Sequence, residues 1–71
     1  MNYKIGDRVK ATTRIDEMHF VNPNKDWSHA WSGDLGTIEY IDQEGYPTVR
    51  FDKTGTATVV GLSEIRKEVD Q

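Results

Sequence analysis

The sequence predicts a single all-β domain, a five-stranded barrel spanning residues 1–71. Three observations carry that expectation. Apolar residues recur at every second position in several short segments, the period of a sheet with one wet face. The glycines are spread along the chain, near the expected bends and turns. The chain contains no cysteine, so its stability has to come from close packing rather than from disulfides or thiolate-bound metal. A domain of this length buries only about 60% of the surface its unfolded chain exposes, which allows a core of roughly ten to fifteen apolar side chains.

The first strand is expected over 7–15, where Val9, Ala11 and Ile15 alternate with Arg8, Lys10, Thr12 and Arg14. Thr12 and Thr13 and the two-residue spacing both argue against helix there. The second strand is expected over 36–42. Ile38 and Ile41 stand three apart, so strict alternation fails and a bulge or sharp bend is expected between them. Asp42-Gln43-Glu44-Gly45 reads as a hairpin turn in which Gly45 takes a positive φ. The third strand follows over 46–52, with Val49 and Phe51 inward, Thr48 and Arg50 outward, and Pro47 near its start, where a missing N–H costs least. Asp52-Lys53-Thr54-Gly55 is a second turn of the same kind, and 56–60 is a fourth strand rich in β-branched residues. Leu62-Ser63-Glu64-Ile65 is too short for a lasting α-helix. A 3₁₀ turn is expected, with Leu62 and Ile65 plugging one mouth of the barrel. A last strand over 66–69 would pair back beside the first and leave no open sheet edge.

This frame resembles the SH3-like barrels. Gly6-Asp7-Arg8-Val9-Lys10, Gly33-Asp34-Leu35-Gly36-Thr37-Ile38, Tyr46-Pro47-Thr48-Val49-Arg50-Phe51-Asp52-Lys53 and Leu62-Ser63-Glu64-Ile65 carry the likeness, which covers most of the chain outside the long loop. The nearest look is to subunit IV of the photosystem I reaction centre and to the variable chain of ferredoxin–thioredoxin reductase. That resemblance implies an accessory subunit that docks another protein. Subunit IV is basic, whereas this chain carries a formal charge of −3. The segment 33–41 also looks like the KOW motif of ribosomal and transcription-elongation proteins. The Gly6-Asp7-Arg8-Val9 opening is similar to that of the plasmid-borne type II dihydrofolate reductases, which act as oligomers. Their folate-binding strand has a Val-Gln-Ile-Tyr stretch where this chain has Thr58-Val59-Val60-Gly61.

The segment 16–33 is the unusual one. At ~18 residues it exceeds an ordinary hairpin connection, and long loops in compact domains are disproportionately functional. It holds Met18, His19, Phe20, Trp27, His29 and Trp31, including both tryptophans and both histidines of the chain. Rigid aromatic side chains on such a loop offer contact surface to a protein partner. The expected partner-binding set is Phe20, Trp27, Trp31, Tyr40, Tyr46 and Arg50. Within it Trp31 is expected as a lid on the core and Trp27 as an exposed contact, and Phe20 fits either role. An alternative reading uses Arg8, Lys10, Arg14 and Arg50, with Tyr40 or Tyr46, to contact nucleic-acid backbone and bases. Against it, these cations have Glu39, Asp52 and Glu68 as expected cross-strand partners, and the net charge is negative.

No catalytic constellation is expected. Ser28, Ser32 and Ser63 lack a glycine elbow, and no glycine-rich phosphate loop occurs. His19 and His29 stand ten residues apart, unlike the short spacing of zinc sites, so solvated or hydrogen-bonded histidines are expected even with Asp16, Glu17 and Asp26 nearby. No cofactor is expected. No apolar run reaches the ~18 residues of a membrane span. The first residues lack the apolar centre of a secretory signal, so a cytoplasmic location without membrane contact is the expectation.

Overall fold

The computed structural model of the chain describes residues 3–16 and 28–68. Five antiparallel strands form one sheet: β1 Arg8–Ala11, β2 Leu35–Ile41, β3 Pro47–Phe51, β4 Ala57–Val59 and β5 Ile65–Lys67. Their order across the sheet is β4-β3-β2-β1-β5, and there is no α-helix among the described residues. The expected closure is therefore corrected: the sheet is open, with β4 and β5 as its two edges. The last strand does return beside the first, as expected, with Val9 opposite Lys67, Lys10 opposite Arg66 and Ala11 opposite Ile65.

Alternation decides which side chains go inward. Val9 and Ala11 of β1, Ile38 of β2, Val49 and Phe51 of β3 and Ile65 of β5 are buried, and Ile15, Ala30 and Val60 join them from the connections. Tyr3 and Ile41 pack partly buried against this core. Of the outward residues of β1 and β3, Arg8 and Arg50 are exposed and Lys10 and Thr48 half-buried. The first strand is shorter than the alternation over 7–15 suggests. It ends at Ala11, and Ile15 instead forms a separate antiparallel bridge with Ala30.

The register of β2 on β3 shifts between Ile38 and Tyr40, at the break in alternation that the spacing of Ile38 and Ile41 announces. Before that bulge lies a tighter constraint. Gly36 is buried between Val9 on β1 and Phe51 on β3. A Cβ built on it would lie 2.6 Å from Val49 Cγ1 and 2.8 Å from the Arg50 carbonyl oxygen. Real Cβ atoms do not come that close, so β3 can lie this close to β2 only because this position has no side chain.

Turns follow the residue chemistry. Asp42 organises the β2–β3 hairpin: its side chain accepts from the Glu44 and Tyr46 N–H groups, each at 2.9 Å, and Gly45 adopts φ 91°. The β3–β4 turn closes with the Gly55 N–H donating to the Phe51 carbonyl at 2.8 Å. The 3₁₀ turn Leu62–Glu64 is present, held by the Gly61 N–H on Glu64 Oε1 at 2.7 Å and the Glu64 N–H on the Gly61 carbonyl at 3.0 Å. Of its two expected plugs only Ile65 is buried. Leu62 is 47% exposed, because it opens the turn on the solvent side while Ile65 is already part of β5.

Thr58, central in β4, points inward and is buried, yet its hydroxyl has no hydrogen-bond partner among the described residues. A buried hydroxyl without a partner costs about 1–3 kcal/mol relative to a satisfied one. Thr58→Val, which keeps the β-branched shape, is expected to raise stability by about 1 kcal/mol in urea denaturation. A lower midpoint for this variant would show that the hydroxyl is bonded in solution.

Candidate functional site

The cations of the first and third strands are occupied. Arg8 holds Asp52 with two bonds, 3.1 and 2.6 Å, and also donates to Thr37 Oγ1 at 2.8 Å. Arg50 donates to Glu39 at 2.6 Å and to the Gly55 carbonyl at 2.7 Å. The Lys10 ammonium lies 3.6 Å from Glu68. Arg14 donates to Ser28 Oγ at 2.5 Å, and the same nitrogen lies 3.4 Å from Asp16. The three expected carboxylates, Glu39, Asp52 and Glu68, are all used in this way. These pairs sit at the surface, where each contributes little to stability, but they leave the Arg8, Lys10, Arg14 and Arg50 stripe largely neutralised.

The pairing also shifts titration. The Arg8 hydrogen bonds, aided by its charge, hold the Asp52 carboxyl below its ordinary value against a small desolvation penalty. Asp7 is held low first by the Lys4 backbone N–H at 2.9 Å and then by the Lys67 ammonium 3.5 Å away. Arg8 and Arg50 are pushed up chiefly by their hydrogen bonds to Asp52 and Glu39.

The end of the long loop is not loop-like. Ser28, His29 and Ala30 are all buried, and the His29 N–H and the Ile15 N–H bind each other's strand at 2.8 and 2.9 Å through the Ile15 and Ala30 carbonyls. His29 Nδ1 lies 2.7 Å from Thr56 Oγ1, and Thr54 Oγ1 donates to the His29 carbonyl at 2.8 Å. This histidine ties the loop base to the β3–β4 turn. Among the described residues no group of three or more His, Cys, Asp and Glu side chains converges on a point that could hold a metal ion.

The expected lid is corrected. Trp31 is 42% exposed, because its N–H is held by the Asp34 carboxylate at 3.0 Å in a turn that carries the chain away from the core. The small residues Ser28 and Ala30 fill the space at the loop base instead. Phe20 and Trp27 lie outside the described residues. Tyr40 and Tyr46 are exposed, at 57% and 39%. They stand at the far end of β2 from the Trp31 turn, since five residue steps from Leu35 to Tyr40 carry the strand ~17 Å. Arg50 is on the outer face of β3. The described members of the expected partner-binding set are thus spread over three places.

A different cluster is brought together. Lys10, Ala11, Thr12, Ser32, Gly33 and Arg66 line an open cleft of about 250 Å³. The Gly33 N–H on the Ala11 carbonyl at 2.8 Å and the Thr12 N–H on the Glu64 carbonyl at 2.8 Å join the loop end, β1 and the 3₁₀ turn. Thr12 Oγ1 also donates to the Ser63 carbonyl at 2.9 Å. Trp31 and Leu62, the chain neighbours of Ser32 and Ser63, are large exposed apolar side chains at this end of the molecule. Arg66, opposite Lys10, has no carboxylate partner among the described residues. Sequence reasoning missed Thr12, Ser32, Leu62 and Arg66 as site residues. The Leu62 signal was available, since the first position of a short 3₁₀ turn is easily solvent-facing.

Comparison of the chain with protein-family models, with curated proteins and with solved structures finds no match.

The lowered Asp7 and Asp52 carboxyls set the sign of an acid effect. Their contribution is fully present above the ordinary carboxylate value and is lost as pH falls through the depressed folded values. Stability is expected to fall below about pH 4. Asp52→Asn should lower the urea midpoint at neutral pH and lose less of it on acidification than the unaltered chain. Parallel acid profiles for the two would exclude Asp52 as a source of the effect.

Proposed function

We propose that this chain is a non-catalytic, cytoplasmic interaction module of SH3-like barrel type, an accessory subunit that docks another protein. The strand order, the bulge in β2 and the 3₁₀ turn before the last strand support the SH3-like reading. Among the described residues no helix is long and apolar enough to cross a membrane.

The observation that carries the docking role is the exposure of Trp31, next in sequence to the cleft-lining Ser32, and of Leu62, in the turn bonded to the cleft-lining Thr12, together with Arg66 in the cleft itself. Large exposed apolar side chains, with a cation that has no carboxylate partner among the described residues, suit a partner segment with an apolar anchor and an acidic group. The aromatic residues Phe20 and Trp27 extend this reading along the same loop on sequence grounds. Engagement of Arg8, Lys10, Arg14 and Arg50 by carboxylates favours a protein partner over nucleic acid, which needs uncommitted cations along a strand or duplex.

Affinity capture from cells that express the protein, followed by quantification of the retained partner, tests the reading. Trp31→Ala and Leu62→Ala should each weaken capture by at least about 30-fold, the loss expected of an interface centre. Arg66→Glu should weaken it as well, and Tyr40→Ala should not. Circular dichroism confirms that each variant is folded. Capture that survives the Trp31, Leu62 and Arg66 changes, or that is lost with Tyr40→Ala, would place docking elsewhere.

A further inference from the structure

We infer that β4 is a strand-addition edge whose occupant is a second copy of this chain, paired antiparallel about Thr58. The starting point is the hydrogen-bond pattern of β3 and β4. The Phe51 N–H binds the Thr56 carbonyl at 2.9 Å and the Val60 N–H binds the Pro47 carbonyl at 3.0 Å, with Arg50 opposite Ala57, Val49 opposite Thr58 and Thr48 opposite Val59. In an antiparallel ladder bonded pairs alternate with unbonded ones. Thr56, Thr58 and Val60 therefore face β3, and the N–H and C=O groups of Ala57 and Val59 face away from the sheet. None of those four groups has a partner among the described residues.

The other edge is guarded. By the same alternation Ile65 and Lys67 of β5 face outward, since the Thr12 and Glu68 N–H groups bind the Glu64 and Arg8 carbonyls. There the Tyr3 hydroxyl donates to the Ile65 carbonyl at 3.3 Å. Lys67 lies 3.5 Å from Asp7, with its ammonium 6.0 Å from the Tyr3 ring centre. Charges and a covering side chain are the usual protection of a sheet edge. No charged residue and no proline occurs in 54–62, and among the described residues no side chain bonds to the outward groups of β4.

The occupant follows from self-complementarity. With a two-fold axis at Thr58, Ala57 of one copy lies opposite Val59 of the other and the reverse. The four outward groups of each strand then make four bonds between copies, and none is left over. The side chains that meet are small or β-branched, and no like charges oppose each other. The same operation on β5, with the axis at Arg66, would set the two Arg66 side chains opposite each other, a pairing of like charges. Because β4 is short, the pairing is a weak one that fills at high concentration.

Sedimentation equilibrium from micromolar to millimolar chain tests this. The weight-average mass should rise with concentration from 8.1 kDa towards twice that value, and the Ala57 and Val59 amides should become slower to exchange. Val59→Pro removes an outward N–H that takes no part in the β3 ladder, and Ala57→Lys puts a charge at the contact. Each should keep the chain at its single mass, with circular dichroism showing that it is folded. A chain that stays single to millimolar concentration overturns the proposal and leaves the edge to a strand of another protein. Association that Ala57→Lys and Val59→Pro both leave unchanged overturns it too.

Discussion

The close approach of β2 and β3 at Gly36 is the constraint on which the rest of the structure depends. Two of the largest fully buried side chains, Phe51 and Val49, pack on the ground that a side chain at position 36 would occupy. The inner face can bend around them because β2 has no Cβ there and gains an extra residue a little further on, at the bulge between Ile38 and Tyr40. A small domain has few core residues to spare, so contact quality at this crossing weighs more than it would in a larger protein.

Once the inner face is set, alternation assigns the outer face, and chemistry there divides into two kinds. Across the middle strands, Arg8 with Asp52 and Arg50 with Glu39 satisfy one another and leave little charge for a ligand. At the end where β1 meets the loop and the 3₁₀ turn, Lys10 lies near Glu68, but Arg66 beside it has no carboxylate partner among the described residues. Arg66 is exposed in an open cleft whose walls are fixed by backbone hydrogen bonds to Ala11 and Thr12, and Trp31 and Leu62 are exposed on the loop and the turn that supply those bonds. A rigid base beneath exposed anchors lowers the ordering cost of docking. The functional reading rests on that contrast between a self-satisfied face and an unmatched end.

Much of this was legible from residue order. Local signals survived folding: the broken alternation at Ile38 and Ile41, glycine at the ends of the Asp42 and Asp52 turns, and the short segment at Leu62. The cross-strand carboxylates for Arg8, Lys10 and Arg50 were also legible, because strand register follows once the turns are placed. What escaped was non-local. Ser28, His29 and Ala30 look like polar loop, yet the Ile15–Ala30 bridge buries them, and only the folded chain shows that bridge. Trp31, two residues before the Gly33 bend, reads as a lid, yet it is exposed, and the smaller Ser28 and Ala30 are buried at the loop base. A bend in the second strand and a last strand that returns beside the first lead to the expectation of a closed barrel. The chain instead guards one edge with Tyr3 and leaves the other uncovered among the described residues.

A double-mutant cycle at the Gly36 crossing tests the central constraint most directly. Gly36→Ala, Val49→Ala and the double variant would be compared by urea denaturation. If the Gly36 methyl collides with Val49 as the 2.6 Å approach requires, shortening Val49 makes room for it. The double variant should then be more stable than the sum of the single losses by about 1 kcal/mol or more. Losses that add within about 0.3 kcal/mol would contradict the account. They would mean that Gly36 serves the sheet through backbone freedom alone.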